Sequence, residues 1–280
     1  MKLVRWGAKG LEKPGLRDAG GAVRDLSGVV AELDAATICP EGLAMLRRID
    51  PASLPAVPAG TRLGPPLPRP GKIVCIGLNY SDHAAETGSK LPTEPLVFQK
   101  ASNAWTGPYD DVLMLKGSTK TDYEAELGIV IGSRARDIAE ADAAQYIAGY
   151  ISVNDVSERE WQAERGGQFT KGKSGETFCP AGPWLVTADE VKDVGKLGVR
   201  SWVNGEQRQN GTTANLVFGV FNIVSYLSRF MTLEPGDVIP TGTPAGVGLG
   251  FKPPKFLKAG DVMEIEVEGL GRQKAKLVAG

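Results

Sequence analysis

Residues 122–132 read Asp-Tyr-Glu-Ala-Glu-Leu-Gly-Ile-Val-Ile-Gly. Tyr123, Ala125, Leu127, Ile129 and Ile131 fall on one side of this run, and Glu124 and Glu126 fall on the other. Strict alternation is the period of a β-strand, whose successive side chains point to opposite faces. Four more short runs carry the same β-branched or alternating texture: KIVCIGL from Lys72, IAGYISV from Ile147, VRSWVNG from Val199 and VMEIEVEG from Val262. Helical patches intervene at 41–49, 81–87, 140–147, 157–165 and 215–230. Strands outnumber helices and show no regular βαβ alternation, which predicts a mixed, mostly antiparallel α+β body of β-roll or β-sandwich type.

The chain has 280 residues, of which 42% are apolar, enough for a substantial core. Prolines crowd 51–71, at Pro51, Pro55, Pro58, Pro65, Pro66, Pro68 and Pro70. Proline lacks an amide donor and biases its predecessor toward extended backbone, so this stretch reads as a linker. The expected division is a small N-terminal α+β unit with its linker over 1–70 and one large body over 71–280. Charges nearly cancel, 32 basic against 33 acidic, so neither nucleic acid nor a membrane surface is an expected partner. The cysteines Cys39, Cys75 and Cys179 are too scattered for a disulfide framework. With no apolar leader at the N-terminus, a cytoplasmic location is expected.

Side chains two apart on a strand lie roughly 6.6 Å apart at Cα and point the same way, so Glu124 and Glu126 can converge on one hard cation. The competing reading is a half-exposed strand with solvated glutamates. A second acid, Asp155, ends the apolar run at Ile151-Ser-Val-Asn-Asp155, and Ser157-Glu158-Arg159-Glu160 has the form of a capping box opening a helix. On that helix Arg159 and Gln162, three apart, share a side. Three carboxylates around one point carry −3, which demands a cation or protonation. An all-oxygen set suits Mg²⁺, with Mn²⁺ or Ca²⁺ as substitutes.

The chain has one histidine. His83 and Glu86 are three apart in Asn79-Tyr-Ser-Asp-His-Ala-Ala-Glu86, so on a helix the carboxylate meets the imidazole and can orient it as a general base. A surface or capping histidine is the alternative. Residues 167–174, Gly-Gln-Phe-Thr-Lys-Gly-Lys-Ser, match the letter of a phosphate-binding loop. The flanks are wrong for one: a helix-like stretch precedes it, and a segment with Pro180 and Pro183 follows. What remains is a lysine for an anionic substrate, with Lys171 and Lys173 competing for the role. In Thr241-Gly-Thr-Pro-Ala-Gly246-Val-Gly248, the hydroxyls and glycine amides, Gly242 and Thr243 among them, can form an anion nest or a plain tight connection.

In this order, GLNYSDHAAE, DYEAELGIVIG, YISVNDVSEREWQ, KGKSGETFCPAGPW and GDVIPTGTPAGVG resemble the fumarylacetoacetate hydrolase family over about residues 72–278. The resemblance implies a mixed β-roll catalytic domain, a homodimer and a Mg²⁺ site with Glu124, Glu126 and Asp155 as ligands. His83 and Glu86 would activate water, and Lys173 would take the family lysine position. Arg159, Gln162 and Thr243, with Gly242 beside it, would meet substrate or water. The N-terminal segment and the run from Val203 to Ile239 look like a bacterial subgroup that includes 2,4-diketo-3-deoxy-L-rhamnonate and L-fuconate hydrolases. The implied reaction is hydrolysis of the C3–C4 bond of a diketo acid to pyruvate and a hydroxy acid such as lactate. Oxaloacetate decarboxylation, keto–enol isomerisation, ureidoglycolate lyase activity and a metal-stabilised scaffold without activity are the alternatives. Leu78, Gly175-Glu176 and Pro240 depart from residues common in the family, which carries Arg at the first of these positions in many members.

Overall fold

The computed structural model describes residues 1–280. The strand Ala125–Ile131 lies at the centre of a nine-stranded sheet, and all seven of its residues are buried. Both of its faces are covered. Ala125, Leu127, Ile129 and Ile131 join one apolar cluster with Val199, Ile265 and Val267 of a second, five-stranded sheet. Val130, on the opposite face, joins another cluster with Ile151, Leu3, Leu33 and Leu67. The alternating pattern is therefore correct, but its polar face is an interior surface, which removes the reading of solvated glutamates.

The large sheet runs in the order Val23–Asp25, Lys13–Arg17, Lys2–Trp6, Leu185–Thr187, Ile147–Asn154, Ala125–Ile131, Val238–Pro240, Ile73–Gly77, Leu96–Lys100. Every neighbouring pair is antiparallel except Val238–Pro240 with Ile73–Gly77. The second sheet packs Glu206–Thr212, Gly198–Val203, Val262–Val267, Gly271–Ala279 and Val112–Met114 in that order. Two packed sheets with few helices make the mixed α+β architecture expected from the strand count.

The first 70 residues extend this sheet rather than standing beside it. Lys2–Trp6 pairs with Leu185–Thr187, and Leu3, Leu26, Leu33, Ile38 and Leu67 share one core with Ile73, Phe98 and Ile151. The proline-rich stretch, expected as a linker, is an ordered border to the N-terminal strands. Val57 N donates to Val23 O, Asp25 N to Pro55 O and Gly64 N to Arg5 O. Prolines fit there because an edge leaves the missing donors without consequence.

Helices are shorter than the pattern suggests. Ser81–Thr87 is helical as read, ending at Gly88 in the left-handed conformation (φ 67°). The 215–230 patch is helical only over Val220–Ser228, and 140–147 is a 3₁₀ segment, Glu140–Tyr146. The capping box at Ser157 does not form. Ser157–Glu158 is a short strand paired with Thr121–Asp122; Ser157 Oγ donates to Asp155 O, and the Glu158 carboxylate accepts from Ser118 and Lys120 N. A single wide π-type turn, Glu160–Glu164, follows. No helix is long and apolar enough to cross a membrane.

The junction of N-terminal strands and body rests on a close backbone approach at Gly149, where the register of Ile147–Asn154 shifts. A β-carbon at Gly149 would overlap the Val186 carbonyl oxygen. Gly149→Ala is therefore expected to cost about 1–3 kcal/mol as an overpacking change. In urea denaturation this appears as a lower midpoint at unchanged slope. An unchanged midpoint would show that the Leu185–Thr187 strand is free to shift.

Candidate metal centre and active site

Sheet register assembles the acidic cluster. Ala125 pairs with Asn154, and Asp155 N donates to Glu124 O at 3.0 Å, so the start of one strand lies beside the end of the next. Glu124, Glu126 and Asp155 are buried, and each offers a carboxylate oxygen within 4.8 Å of the others.

The protein supplies most of the compensating charge itself. Lys173 Nζ donates to Glu124 Oε2 at 2.6 Å and to Asp155 Oδ2 at 2.8 Å. Arg159 donates to Glu124 Oε1 at 2.6 Å and to Asp122 Oδ2 at 2.9 Å. Lys100 Nζ donates to Asp155 Oδ1 at 2.5 Å and to Val156 O at 3.0 Å. Four carboxylates, Asp122 included, thus face three cations.

Asp122 and Lys100 were not singled out from the sequence. Asp122 opens the quoted acidic run, yet it lies before the alternating strand and had no visible partner. Lys100 closes the strand Leu96–Lys100 with nothing in its spacing to point at Asp155, 55 residues away.

Glu126 is the carboxylate in this group without a cationic partner; its one hydrogen bond comes from Gly242 N at 2.8 Å. Burial, and then the charges of Asp155 and Glu124, push its carboxyl well above the ordinary range. Glu124 behaves oppositely: burial pushes it up, but Arg159 and Lys173 outweigh burial and hold it well below. Burial likewise opposes the charged form of Lys173, and Asp155 and Glu124 overcome it and hold the ammonium on. An uncompensated carboxylate beside two others, all oxygen donors, fits a hard divalent cation such as Mg²⁺ or Mn²⁺. Glu124, Glu126 and Asp155 would hold it.

The dyad read from the sequence is present. His83 and Glu86 share one face of Ser81–Thr87, with Nδ1 3.3 Å from Glu86 Oε2. Glu86 is fixed in turn by Gly246 N at 2.9 Å, and a β-carbon at Gly250 would overlap its carboxylate. Asn79, fully buried, sets the helix start: its amide donates to Phe218 O and Thr241 O, and its Oδ1 accepts from Phe218 N. His83, Glu124, Glu126, Arg159, Gln162 and Lys173 line one cavity of 250 Å³, with Gly242 and Thr243 in its wall.

The 241–250 loop does bind carboxylates, but they belong to this chain. Gly242 N serves Glu126, Gly246 N serves Glu86, and Gly248 N and Leu249 N serve Asp122. Thr243 Oγ1 donates to Ala125 O and accepts from Gln209. Gly242 N and the Thr243 hydroxyl are thus engaged within the fold. Lys171 is absent from the cavity lining, whereas Lys173 is in it and bonded to the acidic cluster.

Glu126→Gln separates the two properties of this carboxylate. A raised carboxyl favours the protonated folded state, so metal-free protein loses stability as pH rises from the ordinary glutamate range toward the raised value. The amide removes that loss. The variant is expected to melt higher than the parent at neutral pH without metal, by about 2–4 °C per kcal/mol relieved. It should also lose Mn²⁺ affinity by calorimetric titration. Unchanged affinity would remove Glu126 from the ligand set.

The arrangement has relatives. A family model described as the fumarylacetoacetate (FAA) hydrolase C-terminal region matches residues 72–278. A provisionally named hydrolase from Burkholderia cenocepacia is 54% identical over 274 residues, covering 98% of this chain and 97% of the relative. The fumarylacetoacetate hydrolase of Exiguobacterium antarcticum superposes with a TM-score of 0.87 at 36% identity, over the whole of both chains. Maleylpyruvate hydrolase from Sphingobium sp. SYK-6, solved with manganese(II) and pyruvate, superposes with a TM-score of 0.83 at 30% identity, again over both whole chains. With Glu124, Glu126, His83 and Lys173 lining one cavity, and the family model covering residues 72–278, the chain belongs to the fumarylacetoacetate hydrolase family.

Proposed function

We propose that this protein is a divalent-metal-dependent hydrolase that cleaves the C3–C4 bond of a 2,4-diketo acid, releasing pyruvate and a carboxylic acid. The favoured substrates are 2,4-diketo-3-deoxy sugar acids of the L-rhamnonate or L-fuconate type, whose acyl part leaves as a hydroxy acid such as lactate. The observation that carries the reading is that His83, backed by Glu86, lines the same cavity as the uncompensated Glu126. A structural ion site needs no oriented base. The manganese and pyruvate of the maleylpyruvate hydrolase support the same chemistry by similarity.

A Mg²⁺ or Mn²⁺ ion at the triad supplies Lewis-acid polarisation of the keto-acid head. The remaining work falls to the chain. Glu86 Oε2 accepts from His83 Nδ1, which leaves Nε2, free of any partner within the chain, to take a proton from water. The hydroxide adds to C4, the C3–C4 bond breaks, and its electron pair becomes the enolate of pyruvate. Lys173, held cationic by its two carboxylates, lines the cavity and supplies positive charge for that enolate. The proton held by His83 completes the balance at C3. A homodimeric assembly and a cytoplasmic location, in keeping with three free cysteines, belong to the same proposal.

Pyruvate release from a panel of 2,4-diketo acids, with and without chelator, tests the assignment; no pyruvate from any member would end it. His83→Ala should keep Mn²⁺ affinity within about twofold while turnover falls by about 10²–10⁴. Retained turnover would remove the water-activating role from His83.

A further inference from the structure

The residue that joins Glu124 to Glu126 is held on one edge by side chains rather than by a neighbouring strand. Pairing of Val238–Pro240 with the central strand stops at Pro240, opposite Gly128. Farther along, Ala125 N donates to Gln209 Oε1 at 3.0 Å, and Ala125 O accepts from Thr243 Oγ1 at 2.9 Å. Gln209 Nε2 closes the ring by donating to Thr243 Oγ1 at 2.7 Å, and it also donates to Pro244 O at 2.9 Å. The ring uses one acceptor and two donors of a single planar group, a combination that a glutamine supplies and a glutamate does not.

Gln209 reaches this place from the other sheet. It lies on the edge strand Glu206–Thr212 and is the one residue of that strand that is buried. A buried carboxamide is costly unless its hydrogen bonds are made, and here they are. The 241–246 turn is seated on the same strand: a β-carbon at Gly246 would overlap Arg208 O, and one at Gly211 would overlap Pro244. Within that turn Gly242 N, one residue before Thr243, donates to Glu126 Oε2 at 2.8 Å. One carboxamide thus fixes both the backbone between two carboxylates of the triad and the turn that bonds the second of them.

We infer that Gln209 is a positioning residue for the metal centre: it sets how the Glu124 and Glu126 carboxylates converge, and hence the affinity for a divalent ion. This rests on the acidic triad holding a metal and adds a residue of the second sheet to that site. Gln209 bonds neither carboxylate. It acts through Ala125, whose two neighbours carry them, and through the turn that carries Gly242. Groups that orient metal ligands in this way change metal affinity when removed, even though they never touch the ion.

Calorimetric titration of the metal-free protein with Mn²⁺, in the absence of substrate, tests this. Gln209→Met, which roughly keeps the volume and removes all three bonds, is expected to bind Mn²⁺ about 10–100-fold more weakly than the parent. Gln273→Met is the control for general loosening. Gln273 is also buried in the second sheet and donates to Ser152 O, Pro180 O and Gly182 O, but it bonds neither Ala125 nor the 241–246 turn. That variant should melt lower than the parent and keep Mn²⁺ affinity within about twofold. Thr243→Val opens the same ring at another corner and should repeat the loss, whereas Thr243→Ser, retaining the hydroxyl, should bind as the parent does. This second pair carries the test if a thermal melt shows that Gln209→Met does not fold. Parent-like affinity in folded Gln209→Met, or an equal loss in Gln273→Met, overturns the positioning role and leaves the metal centre standing. A parent that binds no Mn²⁺ removes the metal centre and this inference with it.

Discussion

Four carboxylates are buried at one end of two adjacent strands, and the fold around them is arranged to make that tolerable. Desolvating a carboxylate is expensive unless a cation or several donors meet it. Lys100, Lys173 and Arg159 answer Asp122, Glu124 and Asp155, each at 2.5–2.9 Å. Glu126 receives one amide and no cation. That imbalance, one negative charge left over in an interior of oxygen donors, is the physical basis for a divalent ion here. It also explains why two buried carboxylates two residues apart have opposite proton affinities: Arg159 and Lys173 bond Glu124, and neither bonds Glu126.

The glycine-rich loop 241–250 is the second half of this arrangement. It donates backbone amides to Glu126, Glu86 and Asp122 in succession, so one loop aligns a carboxylate of the acidic triad, the partner of His83 and the anchor of Arg159. The glycines are needed where the approach is closest. Gly242 and Gly246 have φ of 102° and 103°, and a side chain at Gly250 would displace Glu86. Through these contacts the position of His83 is mechanically tied to the acidic cluster, although His83 comes from a separate strand–helix connection. Asn79 closes the tie from the other side by bonding both the 241 turn and the 218 backbone.

The N-terminal strands contribute nothing polar to the cavity, yet they are not an appendage. Apolar residues of the first 70 positions, Leu3, Leu33, Ile38 and Leu67 among them, share one cluster with Val130 and Ile151, while Ala125, Leu127 and Ile129 belong to the other, so the strand bearing Glu126 is enclosed on both sides. Enclosure of both faces is what turns an alternating amphipathic pattern into two interior surfaces. It also lowers the local dielectric around the cluster, which strengthens every charge pairing within it.

Period-2 alternation was enough to place the central strands, because side-chain direction on a strand is set by local backbone geometry alone. The i to i+3 spacing of His83 and Glu86 placed that dyad for the same reason, and the two-residue spacing of Glu124 and Glu126 placed half of the acidic cluster. The capping box at Ser157 failed because the short strand pairing of Ser157–Glu158 with Thr121–Asp122 claimed the same backbone first. Lys100 and Asp122 had no readable signal, since their partners lie 55 and 37 residues away and depend on sheet order and register. The amides of 241–250 looked like an anion nest, and which anions they serve was decided by strands arriving from elsewhere in the chain. Local periodicity therefore settled which side chains point together along one element. Only the packed sheets decided which elements meet, which charges cancel, and that Glu126 is the one left without a cation.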